Sequence, residues 1–250
     1  MSITSLIILV IVFFVTSIVG VVTGSNSLIS VPVMFQFGID PRVAVATNMF
    51  GLTFMAVGAT IPFLRQGRID VRRVSPLIGL TIVGSAVGAA IVGLITSDAI
   101  RLIVSLAMIA VVAFTLLRRN QNRTEPAAVT THALVATFVL TFLLAIYGGL
   151  YSGGYVTLLT ATLVAFFGFT FSESVASTKL INVFSSLIAT LIFMWQGLVD
   201  YRLGLILGVT MFVGAFVGAH FATRLDETWL RRIFLATVFL LAIKTLYDFV

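Results

Sequence analysis

Long apolar runs follow one another along almost the whole chain, and this pattern constrains the fold more than any other feature. Most runs are about 18–22 residues long, and a helix of that length rises about 30 Å, the thickness of a bilayer's hydrocarbon core. The 250 residues are 60% hydrophobic and 10% charged, and the charges cluster in the short breaks between runs. The sequence therefore predicts an all-α integral membrane protein, because a β-barrel would show strands of about ten residues with alternating polarity.

A polar linker at residues 118–131 divides the chain into a first transmembrane repeat at 1–117 and a second at 132–250. The predicted apolar segments of the first half are 3–22, 28–39, 43–64, 75–96 and 99–117. Those of the second half are 133–150, 155–171, 174–195, 203–222 and 230–249. The first segment has no basic residue before it and no small-residue cleavage pattern, so we expect a retained helix rather than a signal peptide.

The two halves are related as an internal repeat. Residues 66–70, QGRID, match residues 196–200, QGLVD, and the small-residue stretch 84–89 matches 214–219 at the same spacing of 130. Thr47 matches Thr178 at a spacing of 131, which would make Asn48 the counterpart of Lys179. Several matches near one spacing indicate a duplicated fold with four to five segments in each half.

The direction of the second half depends on whether segment 28–39 crosses the membrane or is re-entrant. A crossing gives five spans per half and inverted repeats, whereas a re-entrant piece gives four spans and parallel repeats. Inverted repeats place ten of the loop arginines and lysines on one side against four on the other, and parallel repeats place nine against five. Since basic residues concentrate on the cytoplasmic side, we favour inverted repeats with both termini outside.

Two polar interruptions occur at matching places in the two halves, at 24–27 and 152–154. The first contains Ser25, Asn26 and Ser27, and the second is Ser152, Gly153 and Gly154. Backbone leaves a helix inside a membrane only where protein or a wet cavity satisfies its amides. We expect serine and asparagine to cap the helix that follows, whose free N–H groups and positive dipole end favour an anion.

Lys179 lies inside an apolar segment, where a cation is stable only if it is paired or faces a cavity. Asn182 follows three residues later on the same helix face. With Thr47, Asn48 and Thr178, these two residues complete the predicted substrate site. Glu173 precedes Lys179 by six residues, and we leave three roles open: an ion pair with Lys179, a proton-linked coupling residue, or a helix-start residue favoured by the dipole.

Several other functions are excluded by the residues themselves. No cysteine and two histidines leave no metal-binding set, and no GxxxxGK[ST] loop is present to hold ATP. We therefore predict no enzyme activity and no cofactor. The net charge of +6 lies in juxtamembrane loops, so it indicates membrane orientation rather than nucleic-acid binding. The glycine pairs Gly84/Gly88 and Gly214/Gly218 indicate close helix packing.

The sequence resembles the sulfite exporter TauE/SafE family of membrane transporters over nearly its whole length. The resemblance rests on SVPV at 30–33, AVATN at 44–48 and FLRQGRID at 63–70, with weaker counterparts SVASTK at 174–179 and WQGLVD at 195–200. One departure is that residues 25–27 replace a run of glycines common in the family. The resemblance implies export of a small sulfur-containing anion such as sulfite, a sulfonate or sulfoacetate, coupled to an ion gradient.

We therefore expect a multi-pass transporter in a bacterial or archaeal cell membrane, with a small anion and the lipid bilayer as its partners. The coupling ion, a proton or sodium, and homodimer formation stay open. The alternatives are a passive anion channel, a transporter of another small organic anion, and a membrane accessory protein without a substrate.

Overall fold

A computed structural model describes residues 2–24, 26–117 and 129–221 of the chain. Over these residues the chain forms nine helices: α1 (Ile3–Thr23), α2 (Ser27–Gln36), α3 (Pro41–Arg65), α4 (Val71–Val92), α5 (Ser97–Leu117), α6 (Thr131–Leu150), α7 (Tyr155–Phe166), α8 (Phe171–Trp195) and α9 (Tyr201–Phe221). Seven of them are long and apolar enough to cross a membrane, which confirms the helical multi-pass fold. Most of the predicted linker and the last predicted segment, at 230–249, lie outside the described residues.

Both predicted interruptions are present, and each is followed by a short helix. α2 has 10 residues and α7 has 12, so they rise only about 15 and 18 Å, too little for either to cross alone. The predicted segments 28–39 and 155–171 extend beyond the C-terminal ends of these two helices. Gly38 and Gly168 adopt positive φ angles of 76° and 73°, a left-handed conformation in which the helix cannot continue.

Six long helices begin two to four residues before the predicted segments because polar residues cap them: α3, α4, α5, α6, α8 and α9. Asp40 accepts hydrogen bonds from the amides of Arg42 and Val43, and Asp70 accepts one from the amide of Arg73. The charged residues after these caps, predicted as loop, therefore form first turns. Partial burial acts to raise the pKa of Asp40, but hydrogen bonds from Ser97 and the two amides, with the charge of Arg42, hold it below its usual value.

Left-handed glycines define the register of the repeat. Gly24, Gly38 and Gly67 have positive φ angles, and so do Gly154, Gly168 and Gly197, each 130 residues later. The hydrogen bond from Ser30 to Asn48 (2.7 Å) has its counterpart between Thr160 and Thr178 (3.2 Å) at the same spacing. The predicted pairing of Asn48 with Lys179 was therefore wrong by one residue, since Asn48 corresponds to Thr178.

The equivalent helices α3 and α8 pack against one another and run antiparallel. Near the start of α3, the Thr47 hydroxyl accepts from the amide of Asp200, which follows the end of α8 (3.0 Å). Just beyond the end of α3, Arg68 donates to Ser172 at the start of α8 (2.9 Å). This direction is the one that inverted repeats require.

The helices group into two units that each mix the two halves. In the first, α9 packs beside α1 and α3; in the second, α4 packs beside α6 and α8. Glycines bring the backbones close within both units: a Cβ on Gly88 would meet the carbonyl oxygen of Ile146, and one on Gly218 would meet that of Ile18. These contacts confirm the packing role predicted for the glycine pairs. We call these groups the α1–α3–α9 unit and the α4–α6–α8 unit.

Apolar side chains face outward along the outer helices at every fourth residue, as lipid contact requires. The exposed positions are Ile3, Ile7, Ile11 and Val15 on α1, and Val135, Val139 and Leu143 on α6. The described fold therefore places its apolar stripes toward the bilayer and buries many of its polar side chains in the interior.

Candidate functional site

The two interruptions meet in the interior of the molecule. The hydroxyl groups of Ser27 and Ser152 are hydrogen-bonded at 2.7 Å. Tyr151 donates to the carbonyl of Ser27 (2.9 Å), and Thr157 donates to the carbonyl of Thr23 (2.8 Å). Residues more than 120 positions apart in sequence thus form one polar junction between the first and second halves.

Lys179 reaches this junction from α8. Its ammonium group donates to the carbonyl oxygen of Gly20 at 3.1 Å, and the residue is only 4% exposed. A Cβ on Gly20 would lie 3.1 Å from both the Asn26 Cβ and the Met55 Cε, so glycine at this position lets Asn26 and Met55 pack closely against α1. The last turn of α1 carries the negative end of the helix dipole, which favours a cation at this position.

A small cavity of about 20 Å³ lies at the junction, with room for about one water molecule. Its polar wall consists of Asn26, Ser27, Ser152, Lys179 and Asn182. Its other lining residues are Gly20, Gly24, Leu52, Met55, Ala56, Ala59 and Val156. The lining residues of α1, α2 and α3 belong to or border the α1–α3–α9 unit, and Lys179 and Asn182 belong to the α4–α6–α8 unit. The cavity therefore lies between the two units.

Five of the predicted site residues line the cavity, and five others lie elsewhere. Asn48 stands one layer behind the wall, where its amide donates to Ser27 (2.8 Å). Thr178 pairs with Thr160, and Thr47 with the amide of Asp200, so neither faces the cavity.

The glycines of the second interruption shape the backbone instead of lining the cavity. The carbonyl of Gly153 accepts from Tyr147, and Gly154 has a φ angle of 84°, which favours glycine. Ser25, the remaining predicted site residue, lies outside the described residues.

The predicted capping of the short helices was wrong. Asn26 precedes α2 but makes no capping bond; its amide donates to the hydroxyls of Thr16 (3.2 Å) and Ser17 (3.0 Å). Ser152 uses its hydroxyl for Ser27, and Gly154 precedes α7 without any side chain to cap it. The competing partners lie on distant helices, which local spacing does not reveal.

Glu173 forms a capping box at the start of α8. Its carboxylate accepts from the amide and the hydroxyl of Thr170, both at 2.8 Å, and its own amide donates to the Thr170 hydroxyl. In the described parts of the chain, one ion pair is formed, between Arg42 and Asp40 at 4.0 Å. Glu173 is therefore not paired with Lys179. The helix-start interpretation is confirmed, and a coupling role stays a prediction.

We expect Glu173→Gln to leave anion uptake and its gradient dependence unchanged. A glutamine oxygen can accept the same two bonds from Thr170, so the free energy of unfolding should fall by less than about 1 kcal/mol. Uptake by reconstituted protein under proton and sodium gradients measures the effect. Thr170→Ala, which removes the cap, is the structural control; lost gradient dependence in Glu173→Gln alone would assign the carboxylate a coupling role.

Sequence reasoning missed the apolar wall of the cavity. Leu52, Met55, Ala56 and Ala59 lie on one face of α3, at the helical spacing that starts from Asn48. This helical periodicity is the one sequence signal that could have revealed the apolar wall. Apolar residues at this spacing occur on almost every helix of a membrane protein, however, so the sequence does not distinguish the face that borders the cavity.

Interrupted helices that meet around a cavity with a polar wall, within a bundle of membrane-spanning helices, are typical of multi-pass helical transporters. In the parts of the chain described, no group of His, Cys, Asp or Glu is placed to hold a metal ion. The sequence model described as "Sulfite exporter TauE/SafE" matches residues 8–245. The chain therefore belongs to the sulfite exporter TauE/SafE family of membrane transporters.

Relatives from bacteria are named as transporters as well. The probable membrane transporter protein ORF9 of a Sinorhizobium species is 26% identical, over 94% of this chain and 90% of its own length. A probable membrane transporter protein of Haemophilus influenzae is 23% identical over 94% and 92%. The probable membrane transporter protein YfcA of Escherichia coli K12 is 25% identical over 95% and 89%. No solved structure matches the chain significantly.

Proposed function

We propose that this protein exports a small sulfur-containing anion, such as sulfite, a sulfonate or sulfoacetate, by secondary transport through the cavity between its two units. The buried ammonium group of Lys179 carries the proposal. It lies at a cavity wall without a carboxylate partner among the described residues, so its positive charge is available to a negative solute.

Hydrogen-bond donors complement this charge. The short helices α2 and α7 both begin at the junction, where the amides of a first turn and the positive dipole end favour anions. Ser27 and Ser152 add hydroxyl groups, and Asn182 adds an amide, all at the cavity wall. The carbonyl of Gly20 is occupied by Lys179. These donors suit the oxygens of an oxyanion.

The sulfur-containing substrate is taken from the family's description as sulfite exporters. The polar wall can donate hydrogen bonds to the oxygens of a sulfonate, a sulfite or a carboxylate. A transporter of another small organic anion would therefore use the same groups. Sulfite has four heavy atoms, and the cavity has room for about one water molecule. Substrate binding therefore requires the walls to move apart.

We infer that the two mixed units, rather than the two halves, move against one another. Each unit holds helices of both halves at close glycine contacts, whereas the cavity lies between the units, beside the contact of α3 with α8. The antiparallel course of α3 and α8 supports inverted repeats, which allow the same movement to open either side of the membrane. The contracted cavity favours such a carrier over a passive channel, which needs a continuous pore.

Anion-dependent thermal stability tests the proposal. A ligand that binds only the folded protein at about 100 times its Kd stabilises it by about 2.7 kcal/mol. We expect sulfite, methanesulfonate or sulfoacetate to raise the melting temperature of purified protein, and acetate and chloride to raise it less. Accumulation of the stabilising anion in proteoliposomes against its gradient then distinguishes a transporter from a channel. No stabilisation by any of these anions would contradict the proposed site.

A further inference from the structure

Five hydroxyl groups in the α4–α6–α8 unit and the adjoining α7 are buried without a hydrogen bond of standard geometry to any described residue. They are Thr81 on α4, Thr141 on α6, Tyr155 on α7, and Ser174 and Ser177 on α8, and we call them the hydroxyl column. Each residue is at most 1% exposed. A buried unpaired hydroxyl is unfavourable, so five of them in one region indicate a partner that is not part of the polypeptide.

The helix register brings these hydroxyls toward one another. On α4, Gly84 faces Phe142 and Ala145 of α6, so one turn earlier Thr81 is level with Thr141. The Tyr155 hydroxyl faces Thr81, although its geometry does not make a good hydrogen bond. These three side chains thus converge from three helices.

α8 extends this group toward one membrane face. Ser85 of α4 and Ser185 of α8 are hydrogen-bonded at 2.7 Å, and the Tyr155 hydroxyl also faces Ser185. Ser177 and Ser174 lie two and three turns before Ser185 on α8. A helix rises about 1.5 Å per residue, so the path from Ser185 to Ser174 covers about 16 Å.

The internal repeat shows that the fold does not need these hydroxyls. At the spacing of 130, Thr81 and Ser174 correspond to the buried apolar residues Met211 and Ala44. Gly218 meets Ile18 where Gly88 meets Ile146, so α1 and α6 are related by a spacing of 128 and Thr141 corresponds to the buried Phe13. Ser177 corresponds to Thr47, whose hydroxyl is satisfied by the amide of Asp200. Tyr155 corresponds to Ser25, outside the described residues. The same helix packing is thus built from apolar side chains in the other unit.

We propose that the hydroxyl column holds a file of water molecules along which a proton moves between the membrane face beside Ser172 and the anion cavity. This inference rests on the proposed function, since the proton is the coupling ion of the transported anion. At each step an oxygen accepts one proton and releases another to the next oxygen, so no other bond changes. Bulk water exchanges the proton at the membrane face, and a water molecule in the anion cavity exchanges it at the other end.

The column runs from a residue near the exposed start of α8 to a residue whose backbone borders the cavity. Ser174 is two residues from Ser172, which is exposed beside the α7–α8 loop. Tyr155 precedes Val156, a cavity-lining residue, and its amide donates to the carbonyl of Ser152 (3.1 Å). The column residues are neutral and lie near the Lys179 ammonium along α8. A sodium ion that has lost its water shell would need a carboxylate to balance its charge, so sodium is disfavoured here.

The stability of two matched variants tests whether water occupies the column. Thr141 and Thr137 are both fully buried on α6, one turn apart, but Thr137 donates to the Ala133 carbonyl (2.9 Å). If water binds Thr141, Thr141→Val should lower the melting temperature of the purified protein by several degrees more than Thr137→Val does. An equal or higher melting temperature for Thr141→Val would mean a dry site and would overturn the proposal.

Proton-driven transport tests the path itself. In proteoliposomes, a pH gradient should drive uptake of sulfoacetate, whose charge is constant above about pH 6. We expect Thr81→Val and Tyr155→Phe to slow this uptake at least about tenfold, which is about 1.4 kcal/mol in the barrier. Stabilisation of these variants by sulfoacetate should match that of wild type, and Thr137→Val should transport normally.

Two outcomes overturn the proton path: undiminished proton-driven uptake in both variants, or wild-type uptake that only a sodium gradient drives. If sulfoacetate neither stabilises the wild-type protein nor is transported by it, the proposed function fails instead. The comparison of Thr141→Val with Thr137→Val still decides the water file in that case, because it involves no anion.

Discussion

Replacing Lys179 with methionine is expected to abolish anion binding while leaving the folded protein at least as stable. The ammonium group is the buried positive charge of the cavity wall, and among the described residues its hydrogen-bond partner is the Gly20 carbonyl. Attraction between unit charges 4 Å apart is about 4 kcal/mol at the effective dielectric constant found near protein surfaces. We therefore expect affinity for sulfite or sulfoacetate to fall at least about a hundredfold, which is about 2.8 kcal/mol. Anion-dependent melting temperatures and proteoliposome uptake measure both effects.

The stability of this variant distinguishes a binding role from a structural one. Replacing a buried charge by an apolar side chain of similar volume is often neutral or stabilising. A structural lysine would instead lower the melting temperature when replaced. Lys179→Arg is the matched control, because it keeps the charge but not the shape. Unchanged binding and uptake in Lys179→Met would remove the main support of the proposed site.

Gly88→Ala is expected to have the largest effect on stability among single substitutions of the described glycines. A Cβ on Gly88 would lie 1.9 Å from the carbonyl oxygen of Ile146 and 2.7 Å from the amide nitrogen of Leu150. Both are backbone atoms of α6, so the two helices would have to separate. Forcing extra atoms into a packed core costs about 1–3 kcal/mol, and rigid backbone contacts place this site at the upper end. Thermal unfolding in detergent measures the loss.

Gly79 provides the control on the same helix. It lies on α4, and a Cβ there would meet nothing within 4 Å. Gly79→Ala should therefore be neutral or stabilise the protein by up to about 1 kcal/mol, since alanine favours a helix. Equal melting temperatures for the two variants would show that α4 and α6 do not pack as closely as described. Gly218→Ala, at the equivalent contact with Ile18, should behave like Gly88→Ala.

These two predictions concern different parts of one mechanism. The close glycine contacts hold each mixed unit together, and Lys179 lies at the cavity between the units. A transporter that opens by moving the units apart needs stiffness within each unit and a weaker, wetter contact between them. The serine pair Ser27 and Ser152 belongs to that contact.

The sequence alone determined the membrane fold, the two interruptions and the duplication. Each of these follows from information carried by neighbouring residues: run length sets the spans, small polar residues mark the breaks, and the spacing of 130 between matched motifs reveals the repeat. Lys179 could also be predicted as a site residue from the sequence, because a lysine within a membrane-spanning apolar run is rare and indicates a functional role.

Only the tertiary structure decided which predicted residues share the cavity and which helices move together. Asn26 loses its capping role to Thr16 and Ser17 on α1, and Thr47 pairs with a residue 153 positions away. The units mix the halves because α4 and α9 each pack across the repeat boundary. A hydroxyl or a glycine has the same local sequence signal whether it faces lipid, a neighbouring backbone or a cavity. Its role depends on the partner that the fold places opposite it, and that partner is distant in sequence.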